Sequence, residues 1–377
     1  MAIHGNTFGR LSAQGEFPRP IEEGIPTKWG HRPCFAPLLE MTSNMNATTD
    51  VQTFEARNFA PDTHEALNDE VWRGLRRRPR SLAPWMFYDA EGSRLFECIT
   101  NLPEYYLART ERDILESYAE AIIGATGTDW TQPLRLVELG AGTATKTGIL
   151  LDAATRLRNE VMYFPVDVSP HALDAACAHI GLRWPDVRLH SLVANYVAHP
   201  PELEWFQGTT LAMYIGSSIG NFSPAEARTI LGNLRSQLRA GDALLLGTDM
   251  VKDEATLVRA YNDRSGITAA FNLNILQRLN RELGANFDIS CFRHRARWNR
   301  MESRIEMHLE STRDQWVNIP GAQLGLQFAA LETIHTENSY KFNANTLGDL
   351  LDDAGFTIEQ MWTDPQQWYA LTFARLR

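Results

Sequence analysis

Three observations predict an α/β fold: a Rossmann-like parallel sheet carrying a second, α+β domain. The first is the stretch Leu136 to Leu151, LVELGAGTATKTGILL. Its apolar run Leu136, Val137 and Leu139 reads as a buried parallel strand, Gly140 and Gly142 as a tight turn, and the pattern from near Thr145 as a helix. The second is the return of short apolar runs with helical spacing between them. YFPVDV ends at Asp167, and Val187 to Val193, Thr209 to Ile215 and Ala243 to Gly247 follow. Alternating strands and helices build a parallel sheet with helices on its faces. The third is a change of rhythm after Asp249. A long helical stretch gives way to alternating segments, Arg295 to Trp298, Arg304 to Leu309 and Trp316 to Ile319. Helices followed by antiparallel strands, inserted after a parallel sheet, mark a second domain.

Composition narrows the function. The chain has 377 residues, 44% of them hydrophobic and 22% charged, ordinary for a globular protein with room for two or three domains. A net charge of −10 argues against nucleic acid or an anionic membrane as partner. Arg76, Arg77, Arg78 and Arg80 are a local exception, read as a solvated helix end and loop. Cys34, Cys98, Cys177 and Cys291 lie far apart, with neither metal-ligand spacing nor a secreted disulfide pattern. No stretch is long enough for a transmembrane helix, and the N-terminus lacks a signal peptide's apolar region. The expectation is a cytoplasmic protein acting on a small molecule, with no metal. Nothing demands an oligomer, so a monomer is expected.

Along the chain, residues 1–55 are rich in Gly, Pro, Asn and Thr and read as an extended arm. Phe17, Trp29, Phe35 and Leu38 are its candidates for packing on the body. Helical spacing starts near Thr63, with Leu67, Val71 and Leu75 on one face. A second helix covers Ser93 to Thr100. Pro103 then forces an extended entry, and Tyr105 and Tyr106 follow as either pocket or core aromatics. A helix from Arg109 to Ile123 leads into the first strand. Ser169 and Pro170 form a helix start, as N-cap and first helical residue. Leu347 to Ala354 is a last helix, and Phe356 to Met361 and Trp368 to Ala374 are strands that complete the main sheet.

The glycine turn selects a ligand class. A dinucleotide fingerprint needs a third glycine where this chain has Thr145. Glu138, just before the turn, suits a cationic ligand, and S-adenosylmethionine (SAM) carries an amino group and a sulfonium but no phosphate. Asp167, at the end of the next strand, can accept both ribose hydroxyls. Asn195, in Ala194-Asn195-Tyr196, stands where an adenine rests, or is a turn asparagine. In open α/β sheets, ligands bind beyond the C-terminal strand ends. The small-residue loop GSSIGNFSP, Gly216 to Pro224, therefore faces the substrate, with Asn221 either exposed to it or capping a turn.

In this order, WMFYDAEGSRLFE, LPEYYLARTE, ELGAGTATKT, GSSIGNFSP, GTDMVKD, RAYNDRSGITAAFNLN, RIEMHL and ENSYKF resemble the SAM-dependent histidine Nα-methyltransferase family of ergothioneine biosynthesis. The resemblance runs from about Leu67 to the C-terminus. It implies a methyltransferase core at 109–250 and 342–377 and a substrate domain at 56–108 and 251–341. It implies three successive methyl transfers from SAM to the α-amine of L-histidine, giving hercynine (Nα-trimethylhistidine). Gly140, Gly142, Lys146 and Asp167 would contact SAM, with Asn195 and Tyr196 beside its adenine. The family usually has Gly-Asp-Phe at Ala194-Asn195-Tyr196, so Asn195 lacks the carboxylate's charge.

The same match implies that Asn221 and Tyr261 hold the α-carboxylate and α-amine near Gly216, and that Tyr105, Glu337 and Ser339 read the imidazole. A neutral imidazole has one donor and one acceptor nitrogen. Glu337 can accept the N–H, a hydroxyl can satisfy the other nitrogen, and residues two apart on a strand share a face. Met307 matches a position beside the ring, or is core. Tyr88 matches an aromatic near the reacting amine. No dedicated base is evident, so catalysis is mostly positioning, with Tyr88, Tyr105 or water relaying protons. A tryptophan-type N-methyltransferase is the same-class rival, opposed by Glu337 with Ser339, since an indole has no ring acceptor. A non-catalytic SAM-binding regulator would not need Asn221 and Tyr261. A NAD-dependent dehydrogenase lacks its glycine and a hydride-transfer pair, and a hydrolase lacks G-x-S-x-G and a metal cluster. His294, His308 and His335 are read as satisfied or exposed.

Overall fold

The computed structural model describes residues 64–377, Thr143 excepted, and the backbone of residues 52–55. Phe17, Trp29, Cys34, Phe35, Leu38 and the rest of the expected arm as far as residue 51 lie outside the described residues, as does Thr63. The arm's last residues, Gln52–Glu55, form strand β1. Then come α1 (His64–Arg76), β2 (Arg80–Ser81), α2 (Ala90–Thr100), α3 (Tyr106–Ala125), β3 (Leu134–Leu139), α4 (Thr147–Leu157), β4 (Val161–Asp167) and α5 (Pro170–Arg183). The parallel series continues with β5 (Arg188–Val193), β6 (Thr209–Tyr214), α6 (Pro224–Arg235) and β7 (Ala243–Asp249).

The eight-stranded main sheet runs β1-β5-β4-β3-β6-β7 and is completed by two antiparallel strands near the C-terminus, whose ranges are given below. All six residues of β3 are buried, because helices cover both faces. Alternation along each strand divides the core in two. Leu136, Leu211 and Leu245 belong to one apolar cluster, and Val137, Ala212 and Leu244 to the other. β3 sits between β4 and β6, where the strand order reverses. Crevices for ligands open at such a point, beyond the C-terminal strand ends.

After β7 the chain leaves the sheet. It forms α7 (Glu254–Ala260), α8 (Ile267–Leu283), β8 (Phe292–Asn299), β9 (Arg304–Ser311), β10 (Gln315–Ile319), β11 (Leu324–Phe328) and β12 (Thr333–Tyr340). It returns through α9 (Ala344–Asp353) to β13 (Phe356–Thr363) and β14 (Tyr369–Leu376), and β14 lies between β7 and β13. The excursion builds a second sheet, β2-β12-β9-β8, and a β10–β11 hairpin. Its two stems touch. The Val251 N–H donates to the Phe342 carbonyl at 2.8 Å, and the Phe342 N–H to the Asp249 carbonyl at 2.9 Å.

Local chemistry sets the helix starts. Asp89 caps α2 by accepting from the Gly92 N–H at 2.7 Å, which starts that helix three residues before the expected Ser93. Ser169 caps α5 ahead of Pro170, and Ser223 and Glu226 form a reciprocal capping box on α6. α3 begins at Tyr106, well before the expected Arg109. One reading is corrected. Arg80 is not a solvated loop arginine but is 2% exposed. Its guanidinium donates to Glu332 Oε1 at 2.8 Å, to the Gln327 carbonyl at 2.9 Å and to the Leu75 carbonyl, and lies over the Phe328 ring. Five donors in a fixed fork can be satisfied without water when carbonyls converge on them.

Candidate active site

At the end of β3, Gly140 and Gly142 both adopt positive φ, +66° and +52°, where an L-side chain is strained. A Cβ on Gly140 would also lie 3.0 Å from the Tyr196 hydroxyl. Asp167, at the end of β4, accepts the Gly142 N–H on one oxygen at 3.0 Å and the Ser169 N–H on the other at 2.9 Å. Two N–H bonds leave lone pairs on both oxygens. Burial pushes its carboxyl above the usual range. Tyr196 is buried edge-on against Tyr214, at 5.8 Å.

Asn195 takes one of its two sequence readings and Glu138 departs from its own. Asn195 Oδ1 accepts the N–H groups of Val197 and Ala198 at 3.1 and 3.2 Å, the turn alternative. Glu138 is 3% exposed, and its Oε2 accepts the Thr147 and Tyr163 hydroxyls at 2.5 and 2.6 Å. It ties α4 to the sheet instead of offering charge to a ligand, and burial raises its pKa to about 7.

A second cavity adjoins the end of β6. Tyr88, Tyr105, Gly216, Asn221, Tyr261, Met307, Glu337 and Ser339 all line it, together with Phe96 and Phe271. The eight that the sequence singles out arrive from six places in the chain. Tyr88 follows a short 3₁₀ turn, Tyr105 caps α3, and Gly216 and Asn221 lie in the loop after β6. Tyr261 ends α7. Met307 pairs with Glu337 across β9 and β12, so the two point to one face. Tyr105 packs edge-on against Tyr261 at 6.1 Å and Phe96 at 6.4 Å.

The aim of Glu337 depends on a bulge. His335 pairs with His308, but Glu337 pairs with Met307, leaving Thr336 as the extra residue. A bulge turns the following side chains to the opposite face. His335 stacks on His308 at 4.8 Å, and Glu337, Ser339 and Lys341 alternate on the cavity side. The Glu337 carboxylate is 9% exposed and takes no hydrogen bond among the described residues. Burial pushes its pKa to about 7, against the pull of Lys341. The Asn221 carboxamide likewise has no hydrogen-bond partner among the described residues. Burial, then the neighbouring Glu337 carboxylate, holds the Tyr88 phenol well above its ordinary range, and Asp167 adds to this from the crevice side. Tyr88 thus stands between the two sites as a protonated phenol.

Three buried groups not singled out by the sequence support these walls. Glu111 ion-pairs with Lys146 and accepts the Gly216 N–H at 2.7 Å and the Tyr369 hydroxyl at 2.6 Å. Asp249 accepts the Tyr106 hydroxyl at 2.8 Å and ion-pairs with Lys252 and Lys341. Lys341 continues to Tyr261 and Ser339. Its signal was legible, since it extends the Glu337, Ser339 alternation by one step. Those of Glu111 and Asp249 were not, because their partners are scattered along the chain. The expected bystanders are engaged: His294 meets the Tyr261 carbonyl at 2.8 Å, and His335 the Glu337 carbonyl at 3.0 Å. Among the described residues, no group of three or more His, Cys, Asp or Glu is placed to hold a metal ion.

A family model for histidine-specific, SAM-dependent methyltransferases matches residues 67–376. A histidine N-alpha-methyltransferase of Mycolicibacterium smegmatis is 43% identical over 315 residues, 84% of this chain and 96% of that protein. One from Mycobacterium tuberculosis is 41% identical over 311 residues, 82% of this chain and 95% of that protein. Ergothioneine biosynthesis protein 1 of Neurospora crassa is 30% identical over 245 residues, 63% of this chain and 27% of that longer protein.

Proposed function

Because the chain belongs to the family of histidine-specific, SAM-dependent methyltransferases, we propose that it methylates the α-amine of L-histidine three times, giving hercynine, as the first step of ergothioneine biosynthesis. The observation that carries this reading is Glu337, a buried carboxylate with no hydrogen-bond donor among the described residues, lining a cavity together with Ser339. That wall suits a ring bearing an N–H and an acceptor nitrogen. A site built to pair both rejects rings that leave its groups unpaired.

The crevice residues fit SAM, which supplies an electrophilic methyl group when bound. Gly140 and Gly142 let the backbone approach it, and Asp167 keeps lone pairs for its ribose hydroxyls. Lys146 lies at the crevice with Glu111, and Tyr196, with Asn195 in the turn beside it, borders the adenine. Asn221 and Tyr261 hold the α-carboxylate and α-amine next to Gly216. Tyr105, Glu337 and Ser339 fix the ring against Met307. The nucleophile is the neutral amine, so a proton leaves before each transfer. Tyr88, protonated and placed between the two sites, serves as a relay rather than a standing base, and Tyr105 is the second hydroxyl within the cavity. Holding the substrate by carboxylate and ring leaves its nitrogen free to turn as it gains methyl groups, and positioning supplies most of the rate.

The reading includes a monomer working in the cytoplasm without metal, nucleic acid or membrane. No helix among the described residues is long and apolar enough to cross a membrane. The test is mass spectrometry of the purified protein with SAM and either L-histidine, L-tryptophan or no substrate. Histidine alone is expected to gain one, then two, then three methyl groups. Methylation of tryptophan with histidine untouched would overturn the substrate and keep the reaction.

A further inference from the structure

Behind the cavity wall lies a cation that the reading above does not use. The Lys341 side chain is fully buried. Its ammonium meets Asp249 Oδ2 at 2.8 Å, Tyr261 Oη at 2.9 Å and Ser339 Oγ at 2.7 Å. An ammonium has three N–H donors and no acceptor, so these contacts use all of them. The Tyr261 and Ser339 oxygens also lie 2.7 Å apart. Each of these hydroxyls carries one proton, and each oxygen already accepts from Lys341. One O–H is taken by the bond between them. One remains, and it cannot point back at the ammonium. Both residues line the cavity, so a donor is what the pair can show there. Without the cation, the pair could turn a lone pair to the ligand as readily as a proton.

We propose that Lys341 is a specificity-determining positioning residue: it commits the Tyr261–Ser339 hydroxyl pair to donate, so that the wall beside Glu337 takes a ring with an acceptor nitrogen and rejects one without it. The inference rests on the histidine reading of the preceding section. Glu337 and Lys341 act as two halves of one template. The carboxylate takes the ring N–H, and the committed hydroxyl meets the other nitrogen's lone pair. Asp249 keeps the template in register, because the Tyr106 hydroxyl and Lys252 hold its carboxylate. The same cation favours the ionised form of Glu337, the form that only accepts.

The experiment compares wild type with Lys341→Met on three substrates: L-histidine and the two β-pyrrolyl-L-alanines. Each pyrrole isomer keeps one ring N–H and carries C–H in place of the other nitrogen. The readout is kcat/KM for histidine divided by that for the better pyrrole. In the variant this ratio is expected to fall about tenfold or more, since an unpaired buried donor no longer penalises the pyrrole, while the KM for SAM stays as in wild type. An unchanged ratio, with both substrates slowed alike, would mean a merely structural role and would overturn the proposal. If Lys341→Met fails to fold, the double variant Lys341→Met with Asp249→Asn removes both charges of the pair, and the same ratio decides. Wild type inactive on histidine would overturn the functional reading and this proposal with it. An active wild type with an unchanged ratio overturns this proposal alone.

Discussion

Glu337 is costly to the fold and useful to the site. Its carboxyl is held near a pKa of about 7, against an ordinary value of 4.5. An acid whose folded pKa is raised destabilises the fold where it must ionise. The cost is absent below about 4.5, grows as pH rises to 7, and is constant above. Glu337→Gln should therefore be more stable than wild type at pH 8, by about 3 kcal/mol at most, and indistinguishable from it near pH 4. Thermal melts at the two pH values check this. The same variant should bind L-histidine about 10–100-fold more weakly, as a charged hydrogen bond becomes a neutral one. Calorimetry with the demethylated cosubstrate bound reads that loss. Tyr88→Phe should lower kcat roughly tenfold or more if it relays the amine proton, with histidine KM little changed. Full rates for all three transfers would remove it from that role. At this scale the sequence was partly legible. Glu337 and Ser339 stand out by alternation once the resemblance marks them, whereas Glu111 meets residues 146, 216 and 369 only because the fold gathers them.

Among the elements, the bulge at Thr336 decides which face of β12 meets the cavity. Deleting Thr336 would remove the extra residue and leave Glu337 opposite Met307, still on the cavity face and away from His335. The expected outcome is that histidine and the demethylated cosubstrate both still bind, measured on one sample by calorimetry. Gly247, within β7, allows another close approach. A Cβ there would stand 2.6 Å from Glu111 Oε1 and 2.7 Å from the Tyr369 hydroxyl. Gly247→Ala should cost about 1–3 kcal/mol by overpacking, read as a lower melting temperature. The parallel strands were legible from their apolar runs. The hairpin partner β11 was missed although Leu324, Leu326 and Phe328 alternate inward. A two-residue strand such as β2, or a polar edge strand such as β1, carries too little pattern to read. The bulge was invisible because register is a property of two strands, not of one.

Across the whole molecule, Glu111 joins the two proposed sites. One oxygen holds Lys146 at the glycine-turn crevice and the other holds Gly216 at the cavity after β6. Glu111→Gln is expected to weaken the coupling between the two ligands, so that each no longer tightens the other's binding. A four-way calorimetric cycle measures that coupling, which is reciprocal by necessity. The touching stems of the excursion have a separate consequence. The chain departs at Val251 and is back at Phe342, joined to its own point of exit by two backbone hydrogen bonds. An excursion with adjacent ends can change length or content with little disturbance to the sheet that carries it. Of the residues proposed to read the ring, Met307, Glu337 and Ser339 ride on the excursion and Tyr105 does not, so a rewritten excursion would change one wall of the cavity and leave the glycine turn after β3 in place.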